Sequence, residues 1–404
     1  MTAPLRLLLL GFHYPPDISA GAFRAQALVE ALARRLPEGS ELLVLTTLPN
    51  RYTAGRDAVP EVETQAGGKV TIRRLPVAGG AGGMAAQALA FLRYARHANA
   101  LTRHGSYDLV IATSSRLMTA VLGRWIARRS NARLYQDIRD NFVDNLPHVL
   151  PLGAGHLLAP LFARLERWSL EKADCLNLVS RGFGDYFQAR YPRLAISWHT
   201  NGIDPLFLEA SGSVRFPSNP GHRQGQPLRV LYAGNLGAGQ GIERILPALA
   251  ERLAGRVEFR VIGAGGRRQR LCSELSARGL TNVQVENPVP RSRLPAAYAE
   301  ADVLFLHLNM LPSLEAVLPS KLFEYAATGR PIWAGLSGFP AGFVENEIDN
   351  AALFPPGDVE AALDALGRLE ICFRPRLRFV ARWRRDTIMQ AMADDLMALV
   401  TDDT

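Results

Sequence analysis

Cysteine is scarce: Cys175, Cys272 and Cys372 are the three in 404 residues, widely spaced and odd in number. That excludes a disulfide framework and a cysteine-based zinc pattern. Long apolar runs are missing as well. The strongest, Leu7 to Leu10, falls far short of the ~18 to 20 residues that span a bilayer. No small-residue cleavage site follows it, so it reads as a first buried strand and not as a signal peptide. Lysine is almost absent, at 3 against 43 arginines. What is present, 48% hydrophobic and 21% charged residues, excludes a disordered or fibrous chain. It fits a soluble, reducing, cytoplasmic protein long enough for two or three domains.

The net charge of +8 is spread unevenly. Residues 1–200 hold 24 Lys and Arg against 15 Asp and Glu, and the remainder holds 22 against 23. A basic excess confined to the first half points to a surface that meets anions, either phospholipid head groups or nucleic acid; the plainer reading is solvated helix faces. A basic nucleic-acid-binding module is disfavoured, because the arginines are dispersed and no aromatic-rich RNA motif appears.

Short runs of Leu, Val and Ile alternate with longer amphipathic stretches, the pattern of parallel sheets covered by helices on both faces. In the first half, strands are predicted at Leu5–Gly11, Glu41–Thr46, Val70–Leu75, Asp108–Thr113, Ala132–Ile138, Cys175–Val179 and Ile196–Asn201. Helices are predicted at Ala22–Arg35, Met84–Arg103, Leu117–Arg128 and His156–Lys172. Ser211–Pro227, rich in Pro, Gly, Ser and Gln, reads as a linker or exposed loop. A second series follows, with strands at Leu228–Ala233, Val257–Ile262, Val283–Val285, Asp302–His307 and Pro331–Ala334. Its helices are Ile242–Leu253, Arg267–Arg278, Arg291–Glu300 and Lys321–Thr328, and a last helix runs over about Pro375–Val400. Each half is a Rossmann-like unit, in which ligands bind beyond the carboxyl ends of the strands.

Three segments carry candidate chemistry. The first strand opens into Gly11-Phe12-His13-Tyr14-Pro15-Pro16-Asp17, with Gly21 at the following helix N-terminus, where free N–H groups suit an anion or sugar oxygens. It lacks the GxGxxG spacing of a dinucleotide site. In the second half, Gly234-Asn235-Leu236-Gly237 with Gln240-Gly241 follows one strand, and Gly263-Ala264-Gly265-Gly266 with Arg267 and Arg268 follows the next. Two glycine loops on one sheet edge can cradle a diphosphate through main-chain N–H groups. The third segment, Pro319-Ser320-Lys321 through Glu324 to Gly329-Arg330-Pro331, places Lys321 and Glu324 three apart in the first turns of a helix. A lysine there opposes the helix dipole, which a bound phosphate explains better than stability does. Glu324 is placed to accept hydrogen bonds from ribose hydroxyls, and an exposed Lys and Glu pair is the alternative.

With these pieces in order along almost the whole chain, the sequence resembles the GT-B glycosyltransferases of family 4, the glycosyl transferases group 1, and within them a bacterial branch of fucosaminyltransferase-like enzymes. Ile111-Ala112-Thr113-Ser114, Asp137-Ile138-Arg139-Asp140 and Asn201-Gly202-Ile203-Asp204 complete the match. The resemblance implies an acceptor domain (1–205), a nucleotide-sugar donor domain (206–375) facing it across a cleft, and a terminal helix (376–404) crossing back to the first domain. It implies transfer with retention of configuration and without a metal or other cofactor. The donor is expected to be a UDP-linked N-acetylated hexosamine or deoxyhexosamine, and the acceptor a lipid-linked or growing saccharide of a bacterial surface polysaccharide. A nucleotide-sugar 2-epimerase of the same architecture is the rival enzyme.

On this reading the catalytic candidates are Asp140, Lys321 and His13. The donor is assigned to Gly234, Asn235, Gly237, Gln240, Gly263, Gly265, Arg267, Ser320, Lys321 and Glu324, and the acceptor to Tyr14, Pro16, Gly21, Arg139 and Asp140. Asp140 either orients the acceptor hydroxyl or forms a structural ion pair with Arg139 and Asp137, and a lone histidine such as His13 is commonly just buried and hydrogen-bonded. The chain departs from the family pattern twice: the partner eight positions before Glu324 is Ala316, with Glu315 one step off, and Gln240 stands where a lysine is frequent. A polyprenyl-linked acceptor also calls for peripheral attachment to the inner face of the membrane, for which Arg93, Arg96 and Arg103 with Phe91, Leu92, Tyr94 and Leu101 are the expected surface.

Overall fold

The computed structural model of the chain describes residues 3–49, 59–77, 84–114, 116–149, 154–208 and 225–401. The chain divides into two compact units, Met1–Asn201 with Arg385–Thr404, and Gly202–Arg384. Most of the expected linker, 211–224, lies outside the described residues.

Among the described residues the first unit forms an eight-stranded sheet from β1 (Arg6–Gly11), β2 (Glu41–Thr47), β3 (Val62–Gln65), β4 (Val70–Leu75), β5 (Leu109–Ser114), β6 (Arg133–Ile138), β7 (Cys175–Leu178) and β8 (Ile196–Ser197). Their order is β3-β4-β2-β1-β5-β6-β7-β8, with every pairing parallel except β3 on β4. Successive side chains of a strand point to opposite faces, and here both faces are apolar. Leu7 and Leu9 pack with the helices Ala20–Arg35 and Arg385–Thr401. Leu8 and Leu10 pack with Met84–Leu101 and Leu117–Ser130. The first helix starts at Ser19, whose hydroxyl accepts the Ala22 N–H at 3.2 Å, and buries Ala25, Leu28, Val29 and Leu32. Met389, Met392, Ala393 and Leu396 of the last helix complete that core.

The second unit holds β9 (Leu228–Ala233), β10 (Val257–Ile262), β11 (Val283–Glu286), β12 (Val303–His307), β13 (Ile332–Gly335) and β14 (Ala351–Phe354), ordered β11-β10-β9-β12-β13-β14 and parallel throughout. In both sheets the chain winds outward from a first strand and then returns to its other side. The resulting switch points lie between β1 and β5 and between β9 and β12, where an open sheet leaves a crevice beyond the strand ends.

Several boundaries differ from the sequence reading for visible reasons. Asp108 and Asp302, read as strand residues, sit just before their strands and turn back to accept the N–H of Arg6 (2.7 Å) and Arg229 (2.9 Å) on the neighbouring strand; Asp174 does the same to Leu134 (2.7 Å). The strand expected over Ile196–Asn201 stops at Ser197, because side chains take the main-chain groups that a ladder needs. Asn177 accepts the His199 N–H, Arg24 donates to the carbonyls of His199 and Thr200, and Arg385 donates to that of Asn201. The last helix is two helices. Leu377–Arg382 stays with the second unit and Arg385–Thr401 with the first, so the divisions fall after Asn201 and Arg384 in place of 205 and 375. At the break, Ile203 donates its N–H to Trp383 O at 2.7 Å and bridges to Arg384.

Candidate functional site

The glycine loop after β9 is folded by its own side chains. Gln240 Oε1 accepts from Asn235 Nδ2 at 2.9 Å and from the Gly237 N–H at 3.3 Å, and Tyr232 donates its hydroxyl proton to Asn235 O at 2.5 Å. Gln240, assigned to the donor from sequence, therefore spends its carboxamide oxygen inside the loop. Among the described residues the N–H groups of Asn235, Ala238 and Gly239 have no partner. The loop after β10 interlocks with it: a Cβ at Gly263 would fall on Gly234 O, and one at Gly265 on Leu236 O. Only glycine permits that approach.

Lys321 joins the two motifs. It lies in the first turn of the helix Ser320–Ala327, whose N-cap Pro319 offers no capping side chain. Its ammonium occupies the space where a Cβ of Gly234 would be and lies 4.9 Å from the Tyr232 ring centroid. Among the described residues it has no hydrogen-bond or ion-pair partner. Burial pushes its pKa down to about 8 against the opposing pull of Glu324. Arg268, heading the helix Arg268–Ala277, is likewise without a partner among the described residues, its Nε buried, whereas Arg267 leans on Glu243 at 3.8 Å. Of the two arginines after the second loop, Arg268 is the one left to meet an anion.

Glu324 is engaged. It accepts from the Tyr298 hydroxyl at 3.1 Å and sits 3.8 Å from Arg291, which pairs with Asp204 at 2.9 Å. Its side chain remains partly exposed. Glu315 is exposed after a short 3-10 turn, and its carbonyl accepts the Phe339 N–H at 2.7 Å. A cavity of about 630 Å³ lies at the opposite ends of the strands, lined by Arg229, Arg260 and Glu300 among others. These charges neutralise one another through Arg229–Asp302 and Arg260–Glu300 pairs.

In the first unit, Asp137 on β6 is fully buried and bonded on every side: Arg24 grips it through two 2.9 Å hydrogen bonds, and Thr113 and Asn177 donate at 2.7 Å each. Burial alone would raise its pKa, but Arg24 holds it below the usual carboxylate range. Sequence reasoning offered Asp137 in a structural ion pair with Arg139 and Asp140; the residue that grips it is Arg24, which sequence reasoning did not single out. Arg139 and Gly21 are brought together, since a Cβ at Gly21 would fall on the Arg139 guanidinium. Among the described residues Arg139 Nε has no hydrogen-bond partner, and burial pushes the side chain's pKa down to about 10. Asp140 lines a small recess with Arg116, Phe142 and Glu166, whose carboxylate accepts from Tyr186 and Tyr191.

Other assignments there change. Tyr14 is 3% exposed and packs in the core, so its ring is withdrawn from an acceptor surface. His13 Nδ1 is 3.1 Å from the buried Asp17 carboxylate, which matches the hydrogen-bonded alternative. Pro16 is exposed. Phe91 and Tyr94 face the sheet, with the Tyr94 hydroxyl on Leu45 O, so they cannot serve a membrane face. The polar residue that sequence reasoning missed in the second unit is His307, at the carboxyl end of β12 and 1% exposed. A lone polar side chain inside the apolar run Phe305-Leu306-His307-Leu308 was the available signal.

Residues 20–196 match the family described as Glycosyl transferase 4-like domain, and residues 227–370 match Glycosyl transferases group 1. The Escherichia coli K12 protein WcaI, named as a glycosyl transferase of colanic acid biosynthesis, is 25% identical over 358 residues, covering 80% of this chain and 82% of its own. Among solved structures, Anabaena HepE in complex with UDP-glucose superposes with a TM-score of 0.66 at 17% identity, over 98% of this chain and 100% of that one. The α,α-trehalose 6-phosphate synthase from Burkholderia multivorans gives 0.70 at 15%, over 99% and 98%. WaaG, a glycosyltransferase of lipopolysaccharide biosynthesis, gives 0.60 at 16%, over 98% of each. At these identities the structural likeness is one of fold.

Proposed function

We propose, from the membership of this chain in the glycosyl transferases group 1 and its two-domain GT-B fold, that it moves a sugar from UDP to a lipid-linked or growing saccharide in the synthesis of a bacterial surface polysaccharide. The sugar is an N-acetylated hexosamine or deoxyhexosamine, and its configuration is retained. The observation that carries the donor site is the ammonium of Lys321, seated against Gly234 in the first glycine loop with no hydrogen-bond or ion-pair partner among the described residues. The complex of HepE with UDP-glucose and the name of WcaI support the donor and the pathway class.

Departure of a diphosphate concentrates negative charge on its oxygens, and fixed donors aimed there lower the barrier. The N–H groups of Asn235, Ala238 and Gly239, with Lys321 and Arg268, supply them without a metal ion. Ser320 adds a hydroxyl at the helix start, and Glu324, steered by Arg291 and Tyr298, keeps enough exposure to receive ribose hydroxyls. In the first unit, Arg139 at Gly21 and Asp140 serve the acceptor. The donor's own phosphate oxygen takes the acceptor proton on the face where the new bond forms, so configuration is kept without a protein nucleophile.

The first unit also carries a surface fitted to anionic lipid. The helices Met84–Leu101, Leu117–Ser130 and Ala154–Leu170 lie side by side. Leu89, Leu92, Trp125, Leu157 and Leu161 are exposed on them, Leu157 at 82%. Arg93, Arg96, Arg128, Arg129, Arg164 and Arg167 are exposed beside them. The three helices carry one carboxylate, the buried Glu166. Among the described residues no helix is long and apolar enough to cross a membrane, so contact would be peripheral.

A panel of UDP-, GDP- and dTDP-sugars, offered with polyprenyl-linked saccharides in the presence of EDTA, tests the reading. Transfer from a UDP-sugar is expected, with a product of the donor's anomeric configuration by NMR. A strict need for Mg²⁺ or Mn²⁺, or an inverted product, would contradict it.

A further inference from the structure

The loop between Gly234 and Gly241 is held in place from outside by the exit of β12. His307 Nδ1 lies 2.7 Å from Gln240 O, and its Nε2 lies 3.0 Å from the Gly357 main-chain nitrogen. A carbonyl only accepts and an amide N–H only donates, so the ring is neutral with its proton on Nδ1. Burial without a charged neighbour holds its pKa below the usual histidine value, in keeping with that form. Phe305 on its own strand and Phe354 on β14 stack on the ring, and a Cβ at Gly335 on β13 would meet it, so its orientation is locked. Two residues on, Asn309 donates its N–H to Gly239 O at 2.7 Å and its Nδ2 to Ala238 O at 3.2 Å. A trans peptide sets its N–H opposite its carbonyl. Turning Ala238 O towards Asn309 therefore turns the unpartnered Gly239 N–H away from it, and the next carbonyl but one, that of Gln240, is the one His307 holds.

We propose that His307 is a positioning residue for the nucleotide donor: through its proton on Nδ1 it fixes Gln240, and thereby the loop whose free N–H groups receive the diphosphate. The role rests on the donor reading above. His307 itself is buried and does not touch the ligand. Its two bonds separate the loop from the rest of the fold. Nδ1 serves the glycine loop, whereas Nε2 serves only the turn at Gly357, which leads into the helix Val359–Arg368.

The experiment is titration calorimetry of the full chain with UDP, using the parent protein, His307→Asn and His307→Gln, with a melting temperature for each. Asparagine places an amide nitrogen near the Nδ1 position, keeping the Gln240 bond and losing the Gly357 bond; glutamine reaches the Nε2 position and does the reverse. Each variant loses one buried hydrogen bond, so similar falls in melting temperature are expected. His307→Asn should bind UDP within about threefold of the parent, while His307→Gln should bind about tenfold or more weakly, a difference equivalent to ~1.4 kcal/mol. Equal UDP affinity in the two variants, whether at the parent value or reduced, would overturn the positioning role. Absence of UDP binding by the parent protein would overturn the donor reading and this role with it.

Discussion

Lys321 sits where the local physics disfavours a lysine. The start of a helix repels cations, the surroundings are desolvated, and among the described residues no carboxylate reaches its ammonium. A diphosphate seated there would restore the missing charge partner. Because the free protein holds this pKa at about 8, raising the pH from 7 to 9 strips the proton, whereas a bound diphosphate favours the charged form. Binding therefore takes up a proton above pH 8, and UDP affinity is expected to fall with rising pH, by at most about tenfold per pH unit for one proton. Dissociation constants at pH 7, 8 and 9 check this; a flat profile would contradict it. This part of the site was legible because the glycine loop and Pro319-Ser320-Lys321 are each contiguous. The partners of Glu324 were not, since Arg291 and Tyr298 come from the separate stretch Arg291–Glu300, and Asp204, which pairs with Arg291, from far earlier in the chain. Nor was the Arg24–Asp137 crosslink, whose residues stand 113 apart. Removing either partner of such a pair leaves a lone buried charge, typically a loss of about 3–5 kcal/mol.

Elements announced themselves where buried apolar residues recur at strand spacing. β4, β9 and β10 were read with their observed limits, since β4 and β10 set buried Val, Ile, Leu and Phe between more exposed polar residues and β9 ends in a buried apolar run. β3 was missed because Val62–Gln65 is a polar, exposed edge, and β14 because its four residues are mostly half-buried. Helix faces are harder to read than helices. In Met84–Leu101 the sequence supplied aromatic and basic residues together, but the sheet claims Phe91 and Tyr94 and leaves Leu89, Leu92, Arg93 and Arg96 outward. Basic residues near anionic head groups contribute about 1 kcal/mol each and are screened by salt. The chain is thus expected to sediment with phosphatidylglycerol-containing vesicles at low salt but not with neutral ones. Leu92→Glu combined with Leu157→Glu should leave it in the supernatant. Equal recovery in the supernatant with both vesicle types would remove the lipid surface from the account.

At the scale of the molecule, the two units carry different chemistry in the same architecture. The first carries 25 Lys and Arg against 20 Asp and Glu, a buried Arg24–Asp137 crosslink beneath its switch point, and Arg139 beside a helix start. The second carries 21 against 18 and gathers two interlocked glycine loops, Lys321 and Arg268 at one sheet edge. The pair of Rossmann-like units was legible from the repeated alternation of strands and helices. The crossing points were less so: no glycine or proline marks the break at Trp383 and Arg384, which arises from a main-chain bond to Ile203 far away in sequence. The central claim is that the second unit holds a nucleoside diphosphate through Lys321 without a metal. Calorimetric titration of UDP at pH 7.5 in EDTA, with the parent protein and Lys321→Ala, tests it most directly. Saturable binding by the parent is expected, with a loss of about tenfold to a hundredfold in the variant, the ~1.5 to 3 kcal/mol of a hydrogen bond to a charged group, at an unchanged melting temperature. UDP affinity unaltered by Lys321→Ala, or binding by the parent that appears only when a divalent metal is added, would contradict it.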